Sequence, residues 1–228
     1  MKLSNDTLSV LKNFGNINQG IYFKKGKVLK TVSSGKNILA EVTIGEEIPA
    51  DFGVYNLNEF LSVVSLHKDT PTFEFTEKSA VIVGNKGRSK TNYRFCEQTM
   101  LTVPPEKQLT MPTPEISFEM TAEDFDWILR SASVLGSPQI GIESDGETVK
   151  ITTLDTSNDA AHTDALEITK GNGDKYRMIF KTENITKVLA GGYDVQISSK
   201  GISHFKNKKI ALQYWITTEQ GSKFEKAK

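Results

Sequence analysis

The sequence predicts an α+β fold of two similar domains, each with two helices packed on antiparallel sheets. A helix-like run at residues 55–65 returns at residues 180–190, and the two copies lie 125 positions apart. The corresponding pairs are Tyr55 and Phe180, Phe60 and Ile185, and Val63 and Val188. Three strand-like runs follow each copy, which indicates an internal repeat of one structural unit.

In the first half, the first helix is predicted over residues 4–15. Ser4 is placed to cap its free amides, and Gly15 is placed to end it in a left-handed cap. Leu8 and Leu11 give it an apolar stripe at helical spacing. The predicted strands that follow are 20–23, 27–32, 38–44 and 52–55.

The second helix occupies residues 55–65 and ends near His67. Asn56 stands where an N-cap satisfies the first free amides. Strands are predicted after it at 72–75, 80–83 and 91–95.

The pattern breaks down over residues 97–114, where four of the seven prolines of the chain lie. Proline removes a backbone donor and fixes an extended conformation. This segment is therefore predicted to be a linker between a domain of residues 1–96 and a domain of residues 115–228.

The second half repeats the order helix, four strands, helix, three strands. Thr121 caps its first helix, in which Arg130 lies 118 positions after Lys12 of the first half. Its second helix is predicted over residues 182–189. The predicted strands are 140–142, 148–153, 163–168, 176–180, 193–197, 202–205 and 210–216, with a candidate strand at 115–120 ahead of the repeat.

Composition excludes several classes of protein. The single cysteine, Cys96, rules out an internal disulfide framework and fits a reducing cytoplasm. The chain has no apolar run long enough to span a bilayer, and its start is not of the signal-peptide type. Its 28 lysines and arginines equal its 28 aspartates and glutamates, so any contact with nucleic acid depends on the local distribution of charge.

Several runs together resemble the DNA polymerase sliding clamps of T4-type bacteriophages. They are Met1-Lys2-Leu3-Ser4, Leu11-Lys12-Asn13-Phe14, Ile17-Asn18 with Gly20-Ile21, and Tyr55-Asn56-Leu57-Asn58-Glu59-Phe60-Leu61. The match is closest over about the first 65 residues and continues as an order of elements. It implies the DNA-clamp fold and a homotrimeric ring of two-domain subunits that encircles duplex DNA. It further implies a clamp loader driven by ATP, a tethered replicative polymerase, late-transcription factors as partners, and the cytoplasm of an infected bacterium as the location.

The dimensions agree with that implication. Twelve helices, each about 10 Å across, would line a bore of about 120 Å circumference and about 38 Å diameter. Duplex DNA is narrower than this, so topology can hold it without base contacts, which would stop sliding.

The resemblance makes the cations on or near the four helices candidates for contact with DNA: Lys2, Lys12, Lys68, Arg130 and Lys187. The alternative is that bases late in a helix and acids early in it only complement the helix dipole. Reversing Lys12 and Arg130 to Glu is expected to weaken loading onto DNA and to leave the oligomer intact.

The apolar linker residues have two interpretations. Met100, Leu101, Val103 and Met111 either pin the linker to the domains, or they line the groove that in clamps receives hydrophobic tails of polymerase and loader. Methionine suits a surface that accepts several partners.

Ring closure implies pairing between sheet edges of neighbouring subunits. In related clamps this pairing would map to strand 91–95, with Tyr93 and Phe95, against strand 163–168, with Leu166 and Ile168. An edge strand in a monomer has the same alternation.

The sequence predicts no enzyme, cofactor or metal site. His67, His162 and His204 lack metal-ligand spacing, and no phosphate-cradling glycine loop is present. The rival functions are a scaffold of the same doubled fold that forms no ring, and a hydrolase built from scattered carboxylates.

Overall fold

The structure, a computed structural model, describes residues 1–67, 70–107 and 109–227. It divides into two compact units, Met1–Lys107 and Gln108–Lys228. The division falls inside the segment 97–114 that the sequence predicts as the linker. Within the described residues, no helix has the length and apolar character needed to cross a membrane.

Within its described residues, the first unit has two helices and seven strands. Its elements in chain order are α1 (Asn5–Ile17), β1 (Ile21–Phe23), β2 (Gly26–Val32), β3 (Ile38–Ile48), β4 (Phe52–Val54), α2 (Leu57–Ser65), β5 (Thr72–Phe75), β6 (Ser79–Gly84) and β7 (Ser89–Arg94). Strand β1 pairs with β4, β2 pairs with β3, and β5, β6 and β7 form a three-stranded sheet, all antiparallel. A short 3-10 turn, Gln98–Met100, follows.

The second unit repeats this order and adds a strand at each end. Its elements are β8 (Ile116–Met120), α3 (Ala122–Leu135), β9 (Gln139–Asp145), β10 (Thr148–Leu154), β11 (Ala165–Lys170), β12 (Lys175–Lys181), α4 (Thr182–Ile185), β13 (Tyr193–Ser198), β14 (Ile202–Asn207), β15 (Leu212–Thr217) and β16 (Lys223–Glu225). One antiparallel sheet has the order β11-β10-β9-β12-β16, and another has the order β8-β13-β14-β15. The predicted order of elements is confirmed, β8 is the candidate strand at 115–120, and β16 was not predicted.

Three of the four helices begin at the predicted caps. The Ser4 hydroxyl accepts from the Thr7 amide at 3.3 Å, and the Asn56 side chain accepts from the Glu59 amide at 3.1 Å. Thr121 and Asp124 form a reciprocal capping box, in which each side chain accepts from the other's amide at 3.1 Å. Each cap satisfies amides that the first turn leaves without a helical partner.

The prediction that Gly15 ends the first helix is wrong. Helix α1 continues to Ile17, and Gly15 lies within it. A Cβ at Gly15 would lie 2.6 Å from Oδ1 of Asn58 in α2, so the glycine allows the two helices to approach. The requirement comes from a residue distant in sequence, which helix-stop rules do not consider.

The prediction of a helix over residues 182–189 is also wrong in length. Helix α4 covers only Thr182–Ile185, and its cap residue Lys181 makes no side-chain cap bond. The segment contains Ile185, Thr186 and Val188. Their branched side chains lose rotamer freedom in a helix, and nothing at the cap compensates.

Aromatic side chains fill much of the core of each unit. In the first unit, the Phe52 ring stacks between Phe23, at 4.6 Å between centroids, and Phe95, at 4.5 Å. In the second unit, Tyr193 and Tyr214 are fully buried. Large aromatic rings of this kind contribute much of the apolar area that folding removes from water.

Candidate functional site

A polar groove runs between α1 and α2 and encloses about 540 Å³. We call it the helix groove. Its polar lining residues are Asn5, Lys12, Asn58, Ser62, Ser65, His67 and Thr70. Lys12 is exposed on α1, and the described lining residues include no carboxylate.

Lys2 lies on a neighbouring depression that shares Asn5 and Thr70 with the helix groove. Glu46 lies in the same depression and accepts hydrogen bonds from the Ser4 amide and the Thr7 hydroxyl. Burial opposes ionisation of Glu46, but the bonds from Ser4 and Thr7 outweigh it and lower the pKa of this carboxyl. Glu46 therefore remains an anion beside Lys2 and reduces the positive potential there.

Arg130 is exposed on α3, but it is not free. Its guanidinium lies 2.8 Å from the Asp126 carboxylate, one helical turn away, and both side chains are mostly exposed. Exposed pairs of this kind contribute about 0.5 kcal/mol or less, so a phosphate can compete for Arg130.

The helices as a whole are acidic. Lys12 and Arg130 are the two cations within α1–α4, all four of which the structure describes. Six acids lie on the same helices: Asp6, Glu59, Glu123, Asp124, Asp126 and Glu183. A broadly positive helix face is therefore absent from α1–α4, and attraction for phosphate depends on individual positions.

One other candidate for DNA contact differs from its expected position on a helix, and one is not described. Lys187 is half-buried in the turn after α4, where its amide donates to the Asn184 carbonyl at 3.2 Å. Lys68 lies outside the described residues.

His67 belongs to this site, although the sequence only places it near the end of the second helix and gives it no metal-ligand spacing. It is 5 % exposed and lines the helix groove. Neither ring nitrogen has a hydrogen-bond partner in the part of the chain that the structure describes. A Cβ at Gly84 would collide with the ring, so the glycine in β6 makes room for it. No spacing rule in the sequence links His67 to Gly84.

A second groove, the linker groove, lies beside residues 98–106 and encloses about 420 Å³. Its apolar lining residues are Tyr22, Val28, Val103, Pro104 and Pro105. Its charged lining residues are Lys24, Lys25, Lys27, Lys30 and Glu106. Four lysines and five apolar residues share this lining, which suits an apolar segment that carries acids.

Two of these lysines already have partners. Lys24 contacts Glu106 at 2.9 Å, and this hydrogen bond raises the pKa of Lys24 and lowers that of Glu106. Lys30 pairs with Glu41 at 2.7 Å. The Lys24–Glu106 contact ties the linker to the β1–β2 turn at the rim of the groove.

The linker residues named from the sequence have separate positions. Leu101 packs against Gly53 of β4 and against Gly20. A Cβ at Gly20 or Gly53 would lie only 2.6 or 3.1 Å from its methyl groups. Val103 lines the linker groove, and Met100 is 60 % exposed. Met111 is half-buried in the second unit.

The two strands named for subunit pairing both lie at sheet edges. Strand β7 is one edge of the sheet β5-β6-β7, and β11 is one edge of the five-stranded sheet. Along β7 the residues alternate, with Lys90, Asn92 and Arg94 exposed; on β11, Glu167 is exposed.

The four side chains named for that pairing are partly covered within their own unit. Tyr93 packs edge-on against Phe60 at 5.1 Å between centroids, and burial raises its pKa to about 12. Phe95 stacks on Phe52. Leu166 and Ile168 are half-buried on β11.

Among the described residues, no group of three or more His, Cys, Asp and Glu side chains is arranged to hold a metal ion.

Comparisons with known proteins bear on what these surfaces do. Residues 4–101 match the family described as DNA polymerase processivity factor. The chain is 30 % identical over 225 residues to the sliding clamp of Vibrio phage KVP40, covering 96 % of this chain and 99 % of the relative. It is 29 % identical over 205 residues to the sliding clamp of Enterobacteria phage T4, covering 88 % of this chain and 89 % of that one.

Solved structures share the fold at much lower identity. Proliferating cellular nuclear antigen from Entamoeba histolytica matches with a TM-score of 0.66 at 12 % identity, over 93 % of this chain and 94 % of that one. The Helicobacter pylori beta clamp, solved with a DNA ligase peptide, matches with a TM-score of 0.69 at 11 % identity, over 96 % of this chain and 65 % of that one.

Proposed function

The chain belongs to the sliding-clamp family of T4-type bacteriophages, and from this membership we propose that it forms a homotrimeric ring around duplex DNA. The ring tethers the replicative DNA polymerase and is placed on DNA by an ATP-driven clamp loader. It acts without catalysis, in the cytoplasm of an infected bacterium, and also binds late-transcription factors. Each subunit consists of domains 1–96 and 115–228 joined by the linker 97–114.

The observation that carries this proposal is the pair of open edges, β7 in the first unit and β11 in the second. An unpaired edge strand invites pairing with another chain. Two different edges on one subunit give a head-to-tail contact, which closes into a ring when the rotation between subunits divides a full turn.

Opposite charges are available for the pairing of β7 with β11 of a neighbour. Lys90 and Arg94 are exposed on β7, whereas β11 exposes Lys170 and Glu167, and Glu167 lies 3.4 Å from Lys150 of its own sheet. Because Tyr93 and Phe95 pack inside their own unit, main-chain bonds and these charges carry the contact more than the two rings do.

Contact with DNA uses Lys2, Lys12, Arg130 and Lys187 as individual phosphate partners. A sliding protein needs attraction to phosphate that is independent of base sequence. Because the helices carry few cations among several acids, their contacts with phosphate are weak. The closed ring then holds the duplex by topology and can still slide along it.

The linker groove is the docking site for partner tails, with Val103 on its wall. Its apolar floor takes hydrophobic side chains, and Lys25 and Lys27 attract acids beside them. The family resemblance supports this placement, because clamps receive polymerase and loader tails beside the interdomain linker.

The test is the solution mass by light scattering across a dilution series. One chain is 25.3 kDa, and a trimer gives about three times this mass, about 76 kDa. Lys90→Glu with Arg94→Glu should raise the concentration at which the trimer dissociates about tenfold or more, because like charges then face each other at the edge.

The matched control is Lys200→Glu with Lys209→Glu, which makes the same charge change at exposed turns away from β7 and β11 and should leave the mass unchanged. A chain that stays at 25 kDa at every concentration, alone and with loader and DNA, would contradict the ring.

A further inference from the structure

We propose that the C-terminal segment, residues 219–227, closes one edge of the five-stranded sheet against other copies of this chain. We call this segment the C-terminal cover. The inference rests on the proposed function, in which β11, at the opposite edge of the same sheet, pairs with a neighbouring subunit. It goes further by giving β16 a role and by identifying the edge of β12 as a second surface for self-association, which the cover keeps closed.

The first part of the cover shows which backbone groups of β12 face it. The Glu219 amide donates to the Ile179 carbonyl at 2.7 Å, and the Ile179 amide donates to the Ser222 hydroxyl at 3.0 Å. Both backbone groups of Ile179 therefore point towards the cover. Because this direction alternates along a strand of an antiparallel ladder, the backbone groups of Lys175 and Arg177 point the same way.

Strand β16 occupies the backbone groups of the two remaining residues. It pairs with β12 in antiparallel register, with Lys223 opposite Arg177 and Glu225 opposite Lys175. Without the cover, the edge of β12 would present the N–H and C=O groups of Lys175, Arg177 and Ile179 in one row. Such a row is a template on which another strand can pair.

Side chains hold the cover at its centre and at its far end. The Phe224 ring stacks on Tyr176 at 6.2 Å between centroids. The Ala227 amide donates to the Asp174 carboxylate at 2.8 Å, and the same carboxylate accepts from the Asn172 side chain at 3.0 Å. Because Asp174 is 8 % exposed, its carboxylate is shielded from water and holds the end of the cover in place.

The outer edge of the cover is poorly suited to accept a further strand. Since the backbone groups of Lys223 and Glu225 face β12, those of Phe224 alone face outwards within β16. Lys223 and Lys226 are exposed beside them. A short edge that carries lysines resists pairing, so the cover replaces an open edge by a closed one.

The strand that an uncovered β12 would accept is β11 of another copy. Lys175 and Arg177 are exposed on β12 and would repel the cations of β7, Lys90 and Arg94, whereas β11 offers the exposed acid Glu167. A contact between two different edges of one sheet extends into open chains unless its rotation closes. It would also occupy β11, which the ring needs, so the cover directs assembly towards the ring.

The experiment compares the full chain with a chain that ends at Ser222. This truncation removes β16 and the residues after it, but it keeps the bond from the Ile179 amide to the Ser222 hydroxyl. Light scattering across a dilution series should give the truncated chain a mass at least about twofold above that of wild type, increasing with concentration. Equal masses of the two chains at every concentration would overturn the inference.

A second variant tests the pairing in the full-length chain. Lys223→Pro removes the backbone donor that faces Arg177 and prevents β16 from pairing with β12, so the mass should again exceed that of wild type. The matched control is Lys223→Ala, which removes the same charged side chain, keeps the backbone amide and should retain the wild-type mass. The same mass for the proline and alanine variants would count against the cover.

A third change distinguishes strand pairing from aggregation of unfolded chains. Glu167→Lys, added to the chain that ends at Ser222, places a lysine against the cations of β12. It should raise the concentration at which the larger assemblies form about threefold or more. Assemblies that form at the same concentration with and without this change would exclude pairing between β11 and β12.

The outcomes also separate the cover from the clamp function. A wild-type trimer whose truncated form has the same mass refutes the cover and leaves the clamp function standing. A wild-type chain that stays monomeric with loader and DNA contradicts the clamp function, whatever the mass of the truncated chain.

Discussion

Lys12 and Arg130 occupy equivalent positions in the repeat but differ in their electrostatic surroundings. Arg130 has an acid one turn away, Asp126, at 2.8 Å, whereas Lys12 lines a groove without carboxylates among its described residues. Because a phosphate must displace Asp126 before it can use Arg130 fully, we expect Lys12 to contribute more to DNA attraction.

At this scale the testable change is Lys12→Glu with Arg130→Glu. Both side chains are exposed, so the oligomer should remain intact while loading onto DNA weakens. Loss of two phosphate contacts should reduce the slope of log K against log salt by about 2, and Lys12→Glu alone should account for more than half of it. Equilibrium binding to duplex DNA between low and physiological salt measures the slope.

The control for this change is the pair Lys78→Glu and Lys209→Glu, which alters net charge equally at exposed turns. If the double variant Lys12→Glu, Arg130→Glu is loaded onto DNA as well as wild type at physiological salt, neither residue has the proposed role.

Single residues were predictable from the sequence when their partners are local. Ser4, Asn56 and Thr121 cap helices as predicted, since each bonds an amide three positions later. Gly15 and His67 were not predictable, because their roles depend on Asn58 and Gly84, which the fold brings to them.

At the scale of the elements, the linker has one part that packs against the first unit and a neighbouring part that lines the linker groove. Leu101 is held against Gly20 and Gly53, and the Asn18 amide donates to the Thr102 carbonyl at 2.9 Å. These contacts fix the chain just before Val103, which lines the groove. The sequence left open whether the apolar linker residues pin the linker or line a groove; Leu101 is placed for the first role and Val103 for the second.

The corresponding prediction is that Val103→Ser weakens binding of a hydrophobic polymerase tail peptide about tenfold, because a polar group replaces apolar contact. Fluorescence anisotropy with a labelled peptide measures this. Val134→Ser, on an 85 % exposed valine of α3, makes the same chemical change outside the groove and should have no effect.

Equal affinities of Val103→Ser and wild type would show that the tail docks elsewhere. Leu101→Ala provides a second test. It removes the contacts that hold the linker against Gly20 and Gly53 and should therefore weaken peptide binding, although Leu101 is not on the described lining of the groove.

Element lengths were less predictable than element order. Helix α4 is a single turn because branched residues and an unassisted cap limit it, although its apolar spacing matches that of α2. Strand β16 was missed because Lys223–Glu225 is short and charged, and it forms only through pairing with β12.

For the molecule as a whole, the repeat was sufficient to predict the fold class. Two copies of helix, four strands, helix and three strands are present in the two units, and solved clamps share the fold. Assembly was less predictable, because a single chain contains the edges β7 and β11 without the strands of a neighbour that would pair with them. The ring is therefore a proposal that depends on family membership and on these open edges.

The most direct measurement is retention on DNA of defined topology. The clamp is loaded with its loader and ATP onto nicked circular DNA, and the protein that stays with DNA through gel filtration in high salt is measured before and after one restriction cut. We expect salt-resistant retention of the protein on circular DNA and its loss after linearisation, because a ring slides off a free DNA end. Equal retention on circular and linear DNA, or rapid loss from both, would contradict it.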